Sequence, residues 1–264
     1  MTQETSLLVE RHDHVLTITL NRPQARNAVD SAAAQALARA FASFERDSDL
    51  HAAVLTGAEG TFCAGADLRE VAGGGRPQVV QSGPGPMGPT WMLLSKPVIA
   101  AIEGYAVAGG LELALFCDLR VAARDAVFGI FNRRWGVPLI DLGTVRLPRL
   151  IGQGRALDLI LTGRPVAAEE ALAIGLVNRL TEKGKALETA QELARTIAGF
   201  PQAGLRGDRM SAYEQWSLGW EQARDNELRH GLETLKSGEA VAGAARFASG
   251  AGRHGSFTNP KSRS

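Results

Sequence analysis

Short blocks of apolar residues, each bounded by polar or turn-forming residues, run through the first two thirds of the chain. Ser6 to Glu10 and His14 to Leu20 read as two strands joined at Arg11-His12-Asp13, a hairpin that opens a sheet. The run AAAQALARAFASFERD repeats its apolar positions at helical spacing, and Asp30 or Ser31 stands where a cap belongs. AAVLTG, Ala52 to Gly57, is a short buried strand, and Pro97 to Ile102 is a second, rich in Val and Ile. LELALFCDL then reads as helix, with strand-like pieces at Leu119 to Ala122 and Ala126 to Ile130. Asp141 or Gly143 opens a helix through Leu150, and Arg155 to Leu161 forms another. Alternation of strand and helix predicts an α/β fold with parallel pairing and helices outside the sheet.

From Ala167 the pattern is mostly helical: AAEEALAIG, ALETAQELARTIAGF, and a long stretch from Leu205 to Ala248, with Val177 to Leu180 as a last short strand. Amphipathic helices this extensive expose much apolar surface unless they pack on their own core or on another subunit. Between Val71 and Thr90 periodicity is lost among Gly, Pro and small polar residues. That composition predicts a mobile segment, either a lid over a site or surface disorder, and not a linker, because the strand–helix pattern resumes beyond it. The tail GSFTNPKSRS is expected to fray.

The chain is organised around KPVIAAIEGYAVAGGLE, Lys96 to Glu112. A buried strand turns through Glu103-Gly104-Tyr105 and reaches Ala108-Gly109-Gly110 at a helix entrance. Glycines there admit close approach to the backbone, and the first helical turn leaves N–H groups without partners. Those donors, with the positive end of the helix dipole, suit a developing negative charge. Glu112 follows Gly109 by three residues, about one turn in and on the same side. An anion-stabilising amide beside a carboxylate makes a proton-transfer site; close helix packing is the competing account of the glycines.

Composition narrows the classes. With 264 residues the chain can bury a full core, and a net charge of +1 gives no global pull toward nucleic acid or a membrane surface. Two cysteines, Cys63 and Cys117, are too few for a disulfide scaffold and point to a reducing cytoplasm. The opening MTQETSLLVERHDHV has no basic region followed by an apolar core, so no secretory signal is expected, and no apolar run is long enough to span a bilayer. The histidines show no metal spacing and no GxxxxGK[ST] loop occurs, so neither a metal nor nucleotide hydrolysis is expected.

Several segments, in order, resemble the crotonase (enoyl-CoA hydratase/isomerase) superfamily: LNRPQARNAVD at 20–30, GTFCAGADLRE at 60–70 and KPVIAAIEGYAVAGGLELALFCDLRVA at 96–122. VFGI at 127–130, LPRLIG at 147–152, LTGRPVAAEEALAIGLVN at 161–178 and the helical C-terminus complete the match. The resemblance implies a crotonase-like spiral of ββα turns over residues 1–200 that binds acyl-CoA, with residues 201–264 a helical region for packing and oligomerisation. It implies an enoyl-CoA hydratase-like lyase of fatty acid or related acyl-CoA metabolism. No cofactor is implied beyond the CoA of the substrate, and assembly as a homotrimer or dimer of trimers is.

By motif position, the thioester oxygen is expected between the backbone N–H groups of Ala66 and Gly109, with Glu112 as one catalytic glutamate. Ala64, Asp67 and Leu68, around the first of those amides, are expected to bind the substrate, Asp67 also fixing the loop, and Arg22 and Arg26 match a segment near the CoA nucleotide. Guanidinium groups suit phosphate, although solvated surface arginines would read the same way. Asp118 is expected to hold the structure by hydrogen bonding. The second family glutamate falls on Asn132, whose amide orients a water or a thioester but cannot shuttle a proton near neutral pH. Asp141, one residue from where some relatives carry an aspartate, either supplies the substitute carboxylate or caps the following helix. Arg133-Arg134-Trp135 is more charged than the family stretch, and fits either a carboxylate-bearing acyl group or a subunit contact. With one glutamate lost, a double-bond isomerase and a non-catalytic acyl-CoA-binding protein stand as alternatives.

Overall fold

In the computed structural model, which describes residues 5–74 and 82–252, the chain divides into two units, Met1–Ala198 and Gly199–Ser264. The first begins with the hairpin: β1 (Leu7–His12) and β2 (Val15–Leu20) pair antiparallel, with Asp13 in the left-handed conformation that a tight turn requires. α1 (Ser31–Arg46) follows, and Asp30 is its cap, accepting the Ala33 N–H at 2.8 Å. Its apolar face, including Leu37, Phe41 and Phe44, is buried.

Three strand–strand–helix turns come next. β3 (Ala52–Gly57) matches its predicted limits, Cys63 then bridges to Ala106, and α2 (Leu68–Ala72) closes the turn. β4 (Val98–Ile102), β5 (Tyr105–Val107) and α3 (Gly109–Phe116) make the second. β6 (Leu119–Ala123), β7 (Val127–Gly129), a 3-10 turn over Phe131–Arg134 and α4 (Gly143–Ile151) make the third. α5 (Gln153–Thr162), β8 (Val166–Ala167), α6 (Ala168–Ala173), β9 (Arg179–Thr181) and α7 (Ala186–Ala198) finish the unit. Two sheets result, ordered β1-β2-β3-β4-β6-β9 and β5-β7-β8. Every neighbour pair from β2 to β9 in the larger sheet is parallel, as the alternating pattern predicts.

Alternation along the central strands explains why they read as continuous apolar runs. Val54, Ile99, Ala101 and Val121 face Ala190, Leu193 and Ala194 of α7. Leu55, Val98, Ala100, Ile102 and Ala122 face the larger core with Phe41 and Phe62. Burial of both sheet faces leaves no polar positions to mark the period. Asp118 has the structural role expected of it, accepting the Val98 N–H at 2.7 Å. Buried Arg120 donates to the carbonyls of Ala114 and Cys117 at the end of α3, satisfying groups that a helix C-terminus leaves open.

The irregular stretch from Val71 to Thr90 is partly ordered, against expectation. Val71 and Ala72 end α2, and Met87 to Thr90 are buried; residues 75–81 lie outside the described residues, as does the 255–264 tail. The last strand falls at Arg179–Thr181 instead of Val177–Leu180.

The second unit contains α8 (Gln202–Glu214), α9 (Trp220–Lys236) and α10 (Glu239–Ala248), so the long helical stretch is broken twice. Glu239 accepts the N–H groups of Gln202 and Ala203, at 3.1 and 2.9 Å, and so serves the open end of α8. Leu228, Leu235, Val241 and Phe247 remain exposed. No helix among the described residues is long and apolar enough to cross a membrane.

Candidate functional site

The site forms where the second turn of the spiral meets the first and third. Gly110 lies so close to the first that a β-carbon there would be 2.1 Å from the Cys63 carbonyl oxygen, which only glycine avoids. A β-carbon on Gly65 would lie 3.0 Å from the Gly109 nitrogen, which brings the CAGAD loop against the α3 entrance. Ala108, just before that entrance, is held at φ 52°, a strained conformation for a residue with a side chain.

Both expected amides are available. Val29 bridges to Ala66 by donating to the Gly65 carbonyl at 2.8 Å and accepting the Asp67 N–H at 2.9 Å. This pattern turns the Ala66 N–H to the opposite side, where it has no hydrogen-bond partner among the described residues. The Gly109 N–H opens α3 and likewise has none.

Glu112 is 2% exposed, in the first turn of α3. Its Oε1 accepts the N–H groups of Asp141 at 3.0 Å and Gly143 at 2.9 Å, while its Oε2 accepts none among the described residues. Burial, then the nearby charge of Asp141, pushes its pKa up to about 7, against the opposing effect of those two N–H donors. A carboxylate with this proton affinity can take and return a proton at neutral pH.

Asp141 is 3% exposed and does not cap α4, which begins at Gly143 after Leu142 in the left-handed conformation. That correction has a clear cause, since its Oδ1 accepts the Met87 N–H at 2.9 Å and the Thr90 hydroxyl. Burial raises its pKa, and the hydrogen bonds and Arg146 oppose the rise. The Trp91 indole N–H, bound to the Ile140 carbonyl at 2.9 Å, fastens the same loop. Met87, Thr90 and Gly143 were therefore missed by sequence reasoning. Each acts through contacts distant along the chain, and no local motif marks them.

Asn132 is 3% exposed, in the 3-10 turn that follows Gly129. Its Nδ2 donates to the Pro138 carbonyl at 3.3 Å, and its buried Oδ1 has no hydrogen-bond partner among the described residues. Gly129 itself accepts the Ala108 N–H at 2.9 Å, so that turn starts beside the entrance to α3. Arg133 and Arg134 lie in the same turn, Arg134 stacked on the Phe131 ring, and Trp135 is exposed.

The two arginines of the LNRPQAR segment part company. Arg22 Nη2 lies 2.8 Å from Asp67 and 2.9 Å from Asp30, and Nη1 donates to the Ala28 carbonyl. It is thus not a solvated surface group, and two carboxylates already engage its guanidinium. Arg26 is exposed, its guanidinium has no partner among the described residues, and its carbonyl accepts the Ala64 N–H at 3.1 Å beside the loop. Asp67 caps α2 by accepting the Arg69 N–H, and Leu68 is exposed as the first residue of that helix. Among the described residues, no group of three or more His, Cys, Asp or Glu side chains is placed to hold a metal ion.

The sequence profile of the enoyl-CoA hydratase/isomerase family matches residues 10–249. Enoyl-CoA hydratase EchA19 of Mycobacterium tuberculosis is 36% identical over 91% of this chain and 92% of its own. A carnitinyl-CoA dehydratase of Salmonella arizonae is 39% identical over 92% and 95%. The crystal structure of enoyl-CoA hydratase EchA1 from Mycobacterium marinum superposes with a TM-score of 0.88 at 40% identity, covering 93% of this chain and 96% of that one. With its profile matched across both units and its fold shared with solved hydratases, the chain belongs to the enoyl-CoA hydratase/isomerase family, the crotonase superfamily.

Proposed function

We propose that this acyl-CoA enzyme hydrates 2-enoyl-CoA thioesters, with Glu112 as its single acid/base. Glu112 takes a proton from water as the water oxygen bonds to C3. The C2=C3 electron pair moves through C2 onto the thioester oxygen, making an enolate held by the Ala66 and Gly109 N–H groups. Collapse of the enolate draws the proton from Glu112 to C2, which restores the carboxylate and leaves a 3-hydroxyacyl thioester. Each backbone donor is worth about 3–4 kcal/mol to such a transition state. The observation that carries this reading is a buried carboxylate with its pKa raised to about 7 in the first turn of α3, beside a Gly109 N–H that has no partner among the described residues.

In this reading Asp141 keeps the proton affinity of Glu112 high, and Asn132 orients water or thioester without carrying a proton. Arg26 is the better placed of the two arginines for a CoA phosphate, being exposed beside Ala64. The exposed apolar side chains of α9 and α10 favour assembly as a homotrimer or dimer of trimers, which light scattering would weigh directly.

Incubation with crotonyl-CoA and longer 2-enoyl-CoAs tests the reaction, by loss of the conjugated absorbance and by product mass. Gain of one water supports hydration. A migrated double bond without water would favour the isomerase, which the replacement of the second glutamate by Asn132 also permits. Thioester binding without turnover would leave an acyl-CoA-binding protein.

A further inference from the structure

Arg22 is drawn inward. Its Nη2 stands within 2.9 Å of Asp30 Oδ2 and 2.8 Å of Asp67 Oδ2, its Nη1 donates to the Ala28 carbonyl, and its own N–H donates to Asn27 Oδ1 at 2.9 Å. Those two aspartates cap different helices: Asp30 Oδ1 accepts the Ala33 N–H at 2.8 Å, and Asp67 Oδ1 accepts the Arg69 N–H at 3.1 Å. One guanidinium therefore ties the start of α1 to the start of α2. Between the ties lies Ala66, whose neighbours Gly65 and Asp67 both bond to Val29.

We infer that Arg22 is a positioning residue for the oxyanion-binding amide of Ala66, acting through Asp67 and Asp30, and not a ligand of CoA phosphate. This rests on the proposal that Ala66 and Gly109 hold the thioester oxygen. Without the cation, two carboxylates converging on one point repel, and the CAGAD loop that carries Ala66 opens away from α3. Burial, the largest single influence on Asp67, would raise its pKa, yet the hydrogen bond and charge of Arg22, together with the Arg69 and Glu70 N–H groups, outweigh it and the net shift is downward. A planar fork reaches Ala28, Asp30 and Asp67 together; a lysine ammonium is a single point charge and reaches fewer.

The test uses Arg22→Met, Arg22→Lys and Asp67→Asn in the full chain. The probes are free CoA for affinity and dimethylaminocinnamoyl-CoA, whose absorbance shifts to the red when its thioester oxygen is polarised. Arg22→Met is expected to leave CoA affinity unchanged, to shrink the red shift, and to lower kcat about a hundredfold on an enoyl-CoA substrate. Arg22→Lys restores part of both. Asp67→Asn keeps a competent helix cap but loses the charge, so it reproduces the defect even if Arg22→Met does not fold. Arg22→Met with Asp67→Asn is expected to be no worse than either alone. Weakened CoA binding with an intact red shift and kcat would make Arg22 a phosphate ligand and overturn the inference, as would unchanged behaviour of Asp67→Asn. A wild-type protein that gives no red shift removes the oxyanion-hole reading and this inference with it. A wild-type red shift without hydration removes only the hydratase reading.

Discussion

Asp141 and Glu112 meet backbone to side chain: the Asp141 N–H donates to Glu112 Oε1 at 3.0 Å, while the Asp141 carboxylate turns to Met87 and Thr90. One residue thus orients the Glu112 carboxylate through its amide and raises its proton affinity through its charge. On the proposal that Glu112 is the single acid/base, the pair divides two roles, proton transfer by Glu112 and its tuning by Asp141.

Glu112→Gln tests the first role. The amide oxygen can still accept from Asp141 and Gly143, so the site keeps its shape, but proton transfer is lost. Expected is a fall in kcat of about 10²–10⁴-fold with thioester affinity retained. Steady-state kinetics beside a binding titration measure both, and full activity in the variant would remove Glu112 from the mechanism.

Activity should follow the ionisation of Glu112. As the base that accepts a proton from water, it must be ionised in the free enzyme, so kcat/KM rises with pH through an apparent pKa of about 7. Asp141→Asn removes a neighbouring negative charge, which moves this acid limb to lower pH. A pH–rate profile in which the limb stays in place would show that the charge of Asp141 does not govern Glu112.

Stability carries the opposite slope. The folded pKa of about 7 stands above the ordinary value of 4.5, so between these limits the folded chain holds a proton that the unfolded chain has lost. The contribution of Glu112 to stability is full below 4.5 and falls away as pH rises toward about 7. Asp141, also raised, acts in the same direction. Denaturant unfolding across this range is expected to flatten in Glu112→Gln, and an equal slope in variant and wild type would contradict the shift.

Two glycines should respond differently to alanine. At Gly143 a β-carbon would meet Glu112 Oε1 at 2.7 Å and its Cγ at 2.9 Å, atoms of a side chain that can move. Gly143→Ala is therefore expected to displace the carboxylate and lower kcat about a hundredfold with little change in melting temperature. At Gly110 the obstacle is the Cys63 backbone, at 2.1 Å from its carbonyl oxygen. Gly110→Ala should cost about 1–3 kcal/mol or more in stability, read by thermal unfolding.

Much of this protein is legible locally. The AAVLTG strand, the helix after Asp30, the AGGLE entrance to α3 and the α/β class follow from apolar period, capping chemistry and the two motifs, each encoded within a few neighbouring residues. The pairing of Glu112 with Gly109 across one helical turn is of the same kind.

Only the tertiary structure decided which partners Asp141, Arg22 and the end of the glycine-rich segment find. Asp141 finds Thr90 and Met87 at separations of 51 and 54 residues, and Arg22 finds Asp67 at 45. Read locally, an aspartate before a helix is a cap or a substitute carboxylate, an arginine in a polar loop is a phosphate ligand or a surface group, and a Gly/Pro-rich stretch is mobile. Burial decides against the cap at Asp141 and orders Met87 to Thr90, and it gives Arg22 two carboxylate partners, because a polar group removed from water takes whatever partner the fold brings to it. The raised proton affinity of Glu112 arises in the same way, from desolvation and a neighbouring charge that no spacing along the chain records.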